Sequence, residues 1–354
     1  MNPDTESAAP GRSCPLRYRY RPEDIAQAEV PAGLRDLDVL YVVGGLYGNE
    51  PALQQVLRLF ERERGRRALV FNGDFHWFDI DPAVFARVQR EVLAHAAQRG
   101  NVETEIAAVP VGDLPDDMPG ADAGCGCAYP AWVGDAVVER SNRILARLRG
   151  AAGPAQRAEL AALPMWQPAS VGPWRVGLVH GDAESLAGWG FAQEHLAEAA
   201  RREAARRWCV RAGVQAFACS HTCLPVFCEL SASSAADATA SAPEPAFAAA
   251  SAPAPAGERW VLNNGAAGMP NFGGDPAGLL TRVALSPFEG RERRFGVRRD
   301  EVFAEGIAIE YDADAWRRRF LADWPAGSDA HASYHQRIER GPAYCVEEAL
   351  RTRG

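Results

Sequence analysis

The sequence predicts an α/β fold, a central sheet with helices packed on it. Three observations point there. Short apolar runs rich in β-branched residues alternate with segments whose apolar residues fall at helical spacing. Each run ends in a turn of glycine and polar residues. The composition, 47% hydrophobic and 24% charged over 354 residues, is that of an ordinary globular chain able to bury a sizeable core.

The elements follow in order. Asp38 to Val43 is an apolar strand that ends in Gly44-Gly45-Leu46-Tyr47-Gly48-Asn49. From Glu50 to Arg64, Leu53, Val56, Leu57 and Phe60 keep helical spacing, and Gly65 stops the helix. Ala68 to Phe71 is a second strand, followed by Asn72-Gly73-Asp74. Pro82 to Arg99 reads as a second helix, with the polar turn Gly100-Asn101 behind it. Val133–Arg149 and Ala155–Leu163 read as helices. Trp174 to Val179 is a strand running into His180-Gly181-Asp182. Gln193–Arg207 reads as a helix, and Val214–Cys219 as a strand ending at Ser220-His221-Thr222-Cys223. Trp260 resumes strand character, Gly306–Tyr311 is a late strand, and Asp314–Trp324 a late helix.

The domain organisation expected from this reading is an N-terminal polar arm over 1–35, a globular domain over 36–325 and a tail over 326–354. Two segments interrupt the globular part: an inserted loop and helices over 106–165, and an Ala/Ser/Pro stretch over 231–257 whose composition predicts disorder.

Composition excludes several chemistries. All 38 basic residues are arginine. Without lysine there is no Schiff-base amine, no P-loop lysine and no kinase strand lysine. The formal net charge of -8 argues against binding nucleic acid or an anionic membrane through a basic face. No run approaches the ~20 apolar residues of a membrane span, and the N-terminal stretch lacks the apolar core of a signal peptide. The eight cysteines are too few for a disulfide scaffold. A reduced, cytoplasmic protein is expected.

Four strand-end turns carry the candidate chemistry: 44–49, 72–74, 180–182 and 220–223, with Gly100-Asn101 as a fifth. Carboxylate, amide oxygen and imidazole together suit Mn, Fe or Zn, and in open α/β sheets sites form beyond the carboxyl ends of strands. In its order this series resembles the calcineurin-like metallophosphoesterase family, which reads D-x-H, G-D-x-x-D, G-N-H-[DE], a histidine after a strand, and G-H-x-H. The resemblance covers about 38–285 and implies an αββα sandwich, two mixed sheets flanked by helices, around two bridged metal ions.

The departures are specific. Gly45 and Tyr47 stand at the D-x-H positions, Val102 at the histidine of G-N-H-[DE], and Cys223 at the last histidine of G-H-x-H. Asp74, Asn101, His180 and His221 remain. In the family these four hold one metal, while the lost residues belong to the other metal and to proton donation. The resemblance therefore implies one divalent ion (Mn, Fe or Zn), with Asp74, His180 and His221 as the catalytic residues. A second ion requires other residues to rebuild the lost position, Cys223 first, then His76, with Glu50, Asp79 and Asp182 also near in sequence; Tyr47, a further candidate site residue, either donates a hydrogen bond to a phosphoryl oxygen or fills the vacated space. The activity implied is hydrolysis of a phosphomonoester or phosphodiester by metal-bound hydroxide, on a small phosphorylated substrate. The alternative is a catalytically impaired relative that binds a phospho-ligand or a protein. Cys125-Gly126-Cys127 reads either as a tight glycine turn with incidental thiols or as a loop over the site. Arg140, Ser141 and Asn142 are candidates to hold phosphate, against a solvated helix face.

Overall fold

The computed structural model describes residues 15–108, 124–230 and 257–352. The stretch read as disordered, 231–257, lies outside them but for its last residue, as do 1–14 of the arm and 109–123 of the insertion.

Two six-stranded mixed sheets stack face to face. The first contains β1 (Val39–Val43), β2 (Arg67–Asn72), β3 (Ala96–Gln98), β9 (Gly278–Ala284), β10 (Arg293–Arg299) and β11 (Val302–Ile309), in the order β10-β11-β9-β1-β2-β3. The second contains β4 (Trp166–Val171), β5 (Trp174–Val179), β6 (Ala216–Cys219), β7 (Pro225–Leu230), β8 (Arg259–Asn264) and β12 (Leu350–Arg351), in the order β12-β7-β8-β6-β5-β4. Strands β1, β2 and β3 are mutually parallel, and so are β5, β6 and β8.

The strand period explains the layering. In β1 Leu40 and Val42 face the second sheet and join Val176, Leu178, Ala216, Ala218 and Leu262 between the sheets. Val39, Tyr41 and Val43 face the other way, against α2 (Glu50–Arg62), α3 (Pro82–Leu93) and their neighbours. The outer face of the second sheet, with Phe217, Val226 and Val261, is covered by α7 (Ala199–Arg211) through Ala205 and Cys209. Strands buried on both faces read as continuous apolar runs, which is how β1 and β2 read in the sequence. The result is the αββα sandwich.

Several expectations are corrected. The helix starting at Pro82 ends at Leu93, and β3 fills Ala96–Gln98 before the Gly100 turn. This strand is three residues long and carries no periodic signal. The helix placed over Gln193–Arg207 begins at Ala199 and runs to Arg211. Strands β4, β7, β9 and β10 went unpredicted. Part of the proposed N-terminal arm is not free: Tyr18, Tyr20 and Ile25 are buried in the α7 layer, and α1 spans Pro22–Gln27. The proposed tail contains α9 (Asp329–Arg340) and β12, and Ile338 and Tyr344 are buried. Apolar residues too widely spaced to mark an element anchor both segments. Among the described residues no helix is long and apolar enough to cross a membrane.

Candidate metal centre

The parallel strands bring their carboxyl ends to one edge of the sandwich. Asp74 follows β2, Asn101 opens α4 (Asn101–Ala107) behind β3, and His180 and His221 follow β5 and β6. The turns interlock. A Cβ at Gly100 would lie 2.4 Å from Asp74 Oδ1, so only glycine lets the third turn approach the second. Glu103 ties the same two turns together: its carboxylate accepts from the backbone N–H groups of Asp74 (2.8 Å), Phe75 (2.9 Å) and Gly100 (2.9 Å).

Four acceptor atoms converge. His180 Nδ1 donates to the Asn72 carbonyl at 2.9 Å, which turns Nε2 and its lone pair inward. Asn101 Nδ2 donates to the Cys125 carbonyl at 2.9 Å, which turns Oδ1 inward. From His180 Nε2 it is 3.2 Å to Asn101 Oδ1, 3.2 Å to His221 Nδ1 and 3.3 Å to Asp74 Oδ1. The ligand atoms of Asp74, His180 and His221 all lie within 4.8 Å of one another. His221 Nε2 is buried without a hydrogen-bond partner among the described residues.

Electrostatics fit the same picture. Burial, helped by the charge of His180, pushes His221 down to about 3, so it is a neutral ligand at neutral pH. Burial acts against the charge on both His180 and Asp74, but each outweighs it for the other: His180 is raised and Asp74 held below its usual range. A carboxylate, an amide oxygen and two imidazoles with lone pairs aimed at one point lack a cation, and this donor set suits a borderline divalent ion. The residues fit the metal that the motif series implies.

At the positions that the resemblance assigns to a second metal, two side chains meet. Tyr47 Oη lies 3.0 Å from Cys223 Sγ. The Tyr47 ring folds over Gly45, where a Cβ would meet Cζ and Oη at 2.9 Å. Any side chain at 45 collides with this ring, so the two replacements at the D-x-H positions are one structural change. Burial raises both the Tyr47 hydroxyl and the Cys223 thiol, so both keep their protons at neutral pH. Tyr47, Asp74 and Cys223 all carry positive φ (58°, 54° and 63°). Such backbone costs of order 1–3 kcal/mol each for a non-glycine residue, and here it clusters at the site.

The other proposed ligands lie elsewhere. His76, offered as an additional ligand, is a core residue. Its Nδ1 pairs with Asp79 at 2.8 Å and its ring stacks on Phe85 at 3.7 Å. Asp182 accepts from the N–H groups of Glu184, Ser185 and Gly190 and shapes its own loop. The Cys125-Gly126-Cys127 segment does pass over the site, and Cys127 Sγ sits 3.2 Å from Asn101 Nδ2. Arg140, Ser141 and Asn142 are engaged by Ser333, Tyr129 and the Cys125 N–H.

A cavity of about 200 Å³ opens beside the cluster, and Asp74, Asn101 and His221 form one wall. Trp77, Val102, Tyr129, Val133, Val137, Trp189 and Tyr334 form much of the rest. The sequence reading missed Trp189 and Tyr334. One lies in a glycine-rich loop and the other on α9, and neither stands in one of the strand-end turns that carry the motif series.

The chain matches no family model and no curated protein. Among solved structures it is similar to a metallophosphoesterase from Sphaerobacter thermophilus, at 14% identity and a TM-score of 0.49, over 86% of this chain and all of that one. It is also similar to a hypothetical protein from Pyrococcus horikoshii OT3, at 14% identity and a TM-score of 0.52, over 86% of this chain and 99% of that one. At this identity the likeness is one of fold. The two stacked mixed sheets, with the cluster at the ends of their parallel strands, give the chain a metallophosphoesterase-like αββα fold.

Proposed function

We propose that the protein is a metal-dependent phosphoester hydrolase that works with one ion, held by Asp74, Asn101, His180 and His221. The observation that carries this reading is the convergence of Asn101 Oδ1, His221 Nδ1 and Asp74 Oδ1 on His180 Nε2 at 3.2–3.3 Å. A divalent ion held there supplies a Lewis acid for a phosphoryl oxygen and lowers the pKa of water.

The chain's own residues set the rest. Asn72 and Cys125, through their carbonyls, fix the orientation of His180 and Asn101. The aromatic walls give the cavity a mostly apolar lining. Tyr47 Oη and Cys223 Sγ hold their protons where the family has a second cation, so the pair offers a neutral hydrogen bond in place of a charge. Val102 has no proton to give a leaving group. General acid catalysis is worth roughly 10²–10⁴-fold, so the enzyme favours esters whose leaving groups depart without protonation. Metal-loaded protein is expected to hydrolyse bis(p-nitrophenyl) phosphate, and His180→Ala and Asp74→Ala to abolish it. Absence of turnover in the metal-loaded wild type contradicts hydrolysis.

That outcome favours a second reading, motivated by Val102 and the Tyr47–Cys223 pair: a phospho-ligand-binding or protein-binding module on the same fold. Thermal stabilisation by a phosphorylated compound that is recovered unchanged supports it.

A further inference from the structure

We infer that the site takes phosphodiesters bearing an apolar group of aromatic-ring size, and that Trp189, Tyr129, Val137 and Tyr334 select for it. The inference rests on the proposed phosphoester site and adds its substrate class.

Shape is the first support. The cavity holds about 200 Å³, and an apolar cavity of about 150 Å³ is enough to take up benzene. It begins at the cluster, so a substituent on a phosphorus held there can enter it. Its walls are aromatic on two sides. Trp189 meets His221 edge to face, with ring centroids 5.7 Å apart, and Tyr129 at 6.0 Å. Trp77 meets Tyr334 at 6.3 Å. The aromatic surface continues outward: Trp132, 54% exposed, lies edge to face on Trp189 at 6.3 Å and on His195 at 5.1 Å. An apolar group in the cavity thus meets aromatic surface that continues to the exposed Trp132.

Charge is the second support. Among the described residues lining the cavity there is no arginine, and the chain has no lysine. Arg337, the cation nearest Cys223, is spent on the carbonyls of Cys223 (2.6 Å) and Pro270 (3.1 Å). A monoester dianion is usually met by arginine forks. With no arginine among the described residues lining the cavity to meet a second negative charge, the site favours the lower charge of a diester monoanion. A dianion would leave a buried charge unpaired.

The test is binding, followed by quenching of tryptophan fluorescence in the metal-loaded protein, with diphenyl phosphate, dimethyl phosphate and phenyl phosphate. Diphenyl phosphate is expected to bind at least about tenfold more tightly than either of the others, the size of one good aromatic contact. Trp189→Ala is expected to remove about that tenfold with metal content unchanged. Val137→Arg, on a half-buried wall position, is expected to weaken diphenyl phosphate and strengthen phenyl phosphate. Equal affinities, or unaltered preferences in both variants, overturn the inference. Turnover on bis(p-nitrophenyl) and bis-methyl esters alike also overturns it and leaves the hydrolase reading standing. Selective binding without turnover on any ester has the opposite meaning: the substrate class holds and hydrolysis fails.

Discussion

At the scale of single residues, the site divides into atoms whose lone pairs converge on one point and a Tyr47–Cys223 pair that meets beside them. His180 and Asn101 are each anchored by one polar atom so that the other points inward. Tyr47 and Cys223 satisfy each other. Tyr47→Phe and Cys223→Ser are therefore expected to leave metal content unchanged. Tyr47→Phe loses one hydrogen bond and about 1 kcal/mol of stability, read by denaturant unfolding. Loss of the metal in either variant would make the pair part of the coordination sphere. The convergence of Asp74, Asn101, His180 and His221 was legible in the sequence because each stands alone near a strand end in a fixed order. The role of Tyr47 was legible only as a pair of alternatives, since nothing in the spacing shows its ring lying over Gly45. His76 misled for the converse reason: two residues from Asp74 in sequence, it is paired with Asp79 and stacked on Phe85.

At the scale of elements, the site depends on turns more than on the strands that end in them. Glu103, in the first turn of α4, takes three backbone N–H groups from two different turns. Glu103→Ala strands these donors in the interior. A buried unsatisfied donor costs ~1–3 kcal/mol, so a loss of at least about 3 kcal/mol in unfolding free energy is expected, with weaker metal binding. A loss within about 0.5 kcal/mol, the range of a neutral surface change, would mean that water replaces the carboxylate. Strands β1, β2, β5 and β6 were readable as buried apolar runs before polar turns. Strand β3 and helix α9 were not: the former is three small or polar residues, and the latter has little apolar surface beyond Ala330 and Ile338. Missing α9 also hid Tyr334, which it places in the cavity wall.

At the scale of the whole molecule, two sheets meet so that six parallel strand ends converge on one cluster, and the fold follows from alternating apolar and turn signals along the chain. What could not be read is the cavity, since its walls come from residues 77, 102, 129, 133, 137, 189 and 334, which only folding brings together. Metal binding should be linked to pH. His180 is raised in the metal-free protein by Asp74, which outweighs burial. Its proton and the metal compete for Nε2, so affinity is expected to be full well above the ordinary histidine range and to fall as pH drops through the raised pKa. Without metal the sign reverses for stability: the His180–Asp74 pairing is fully present below the unfolded histidine pKa and is lost as pH rises through the folded one. A metal affinity independent of pH between about 5 and 8 would exclude His180 as a ligand.

The most direct test of the single-ion site is the metal content of the purified, reconstituted protein by elemental mass spectrometry, beside His180→Ala. Close to one Mn, Fe or Zn per chain, lost in the variant, is the expected result. Two ions per chain would show that Tyr47 and Cys223 give way to a second metal, and none after reconstitution would contradict the metal centre itself.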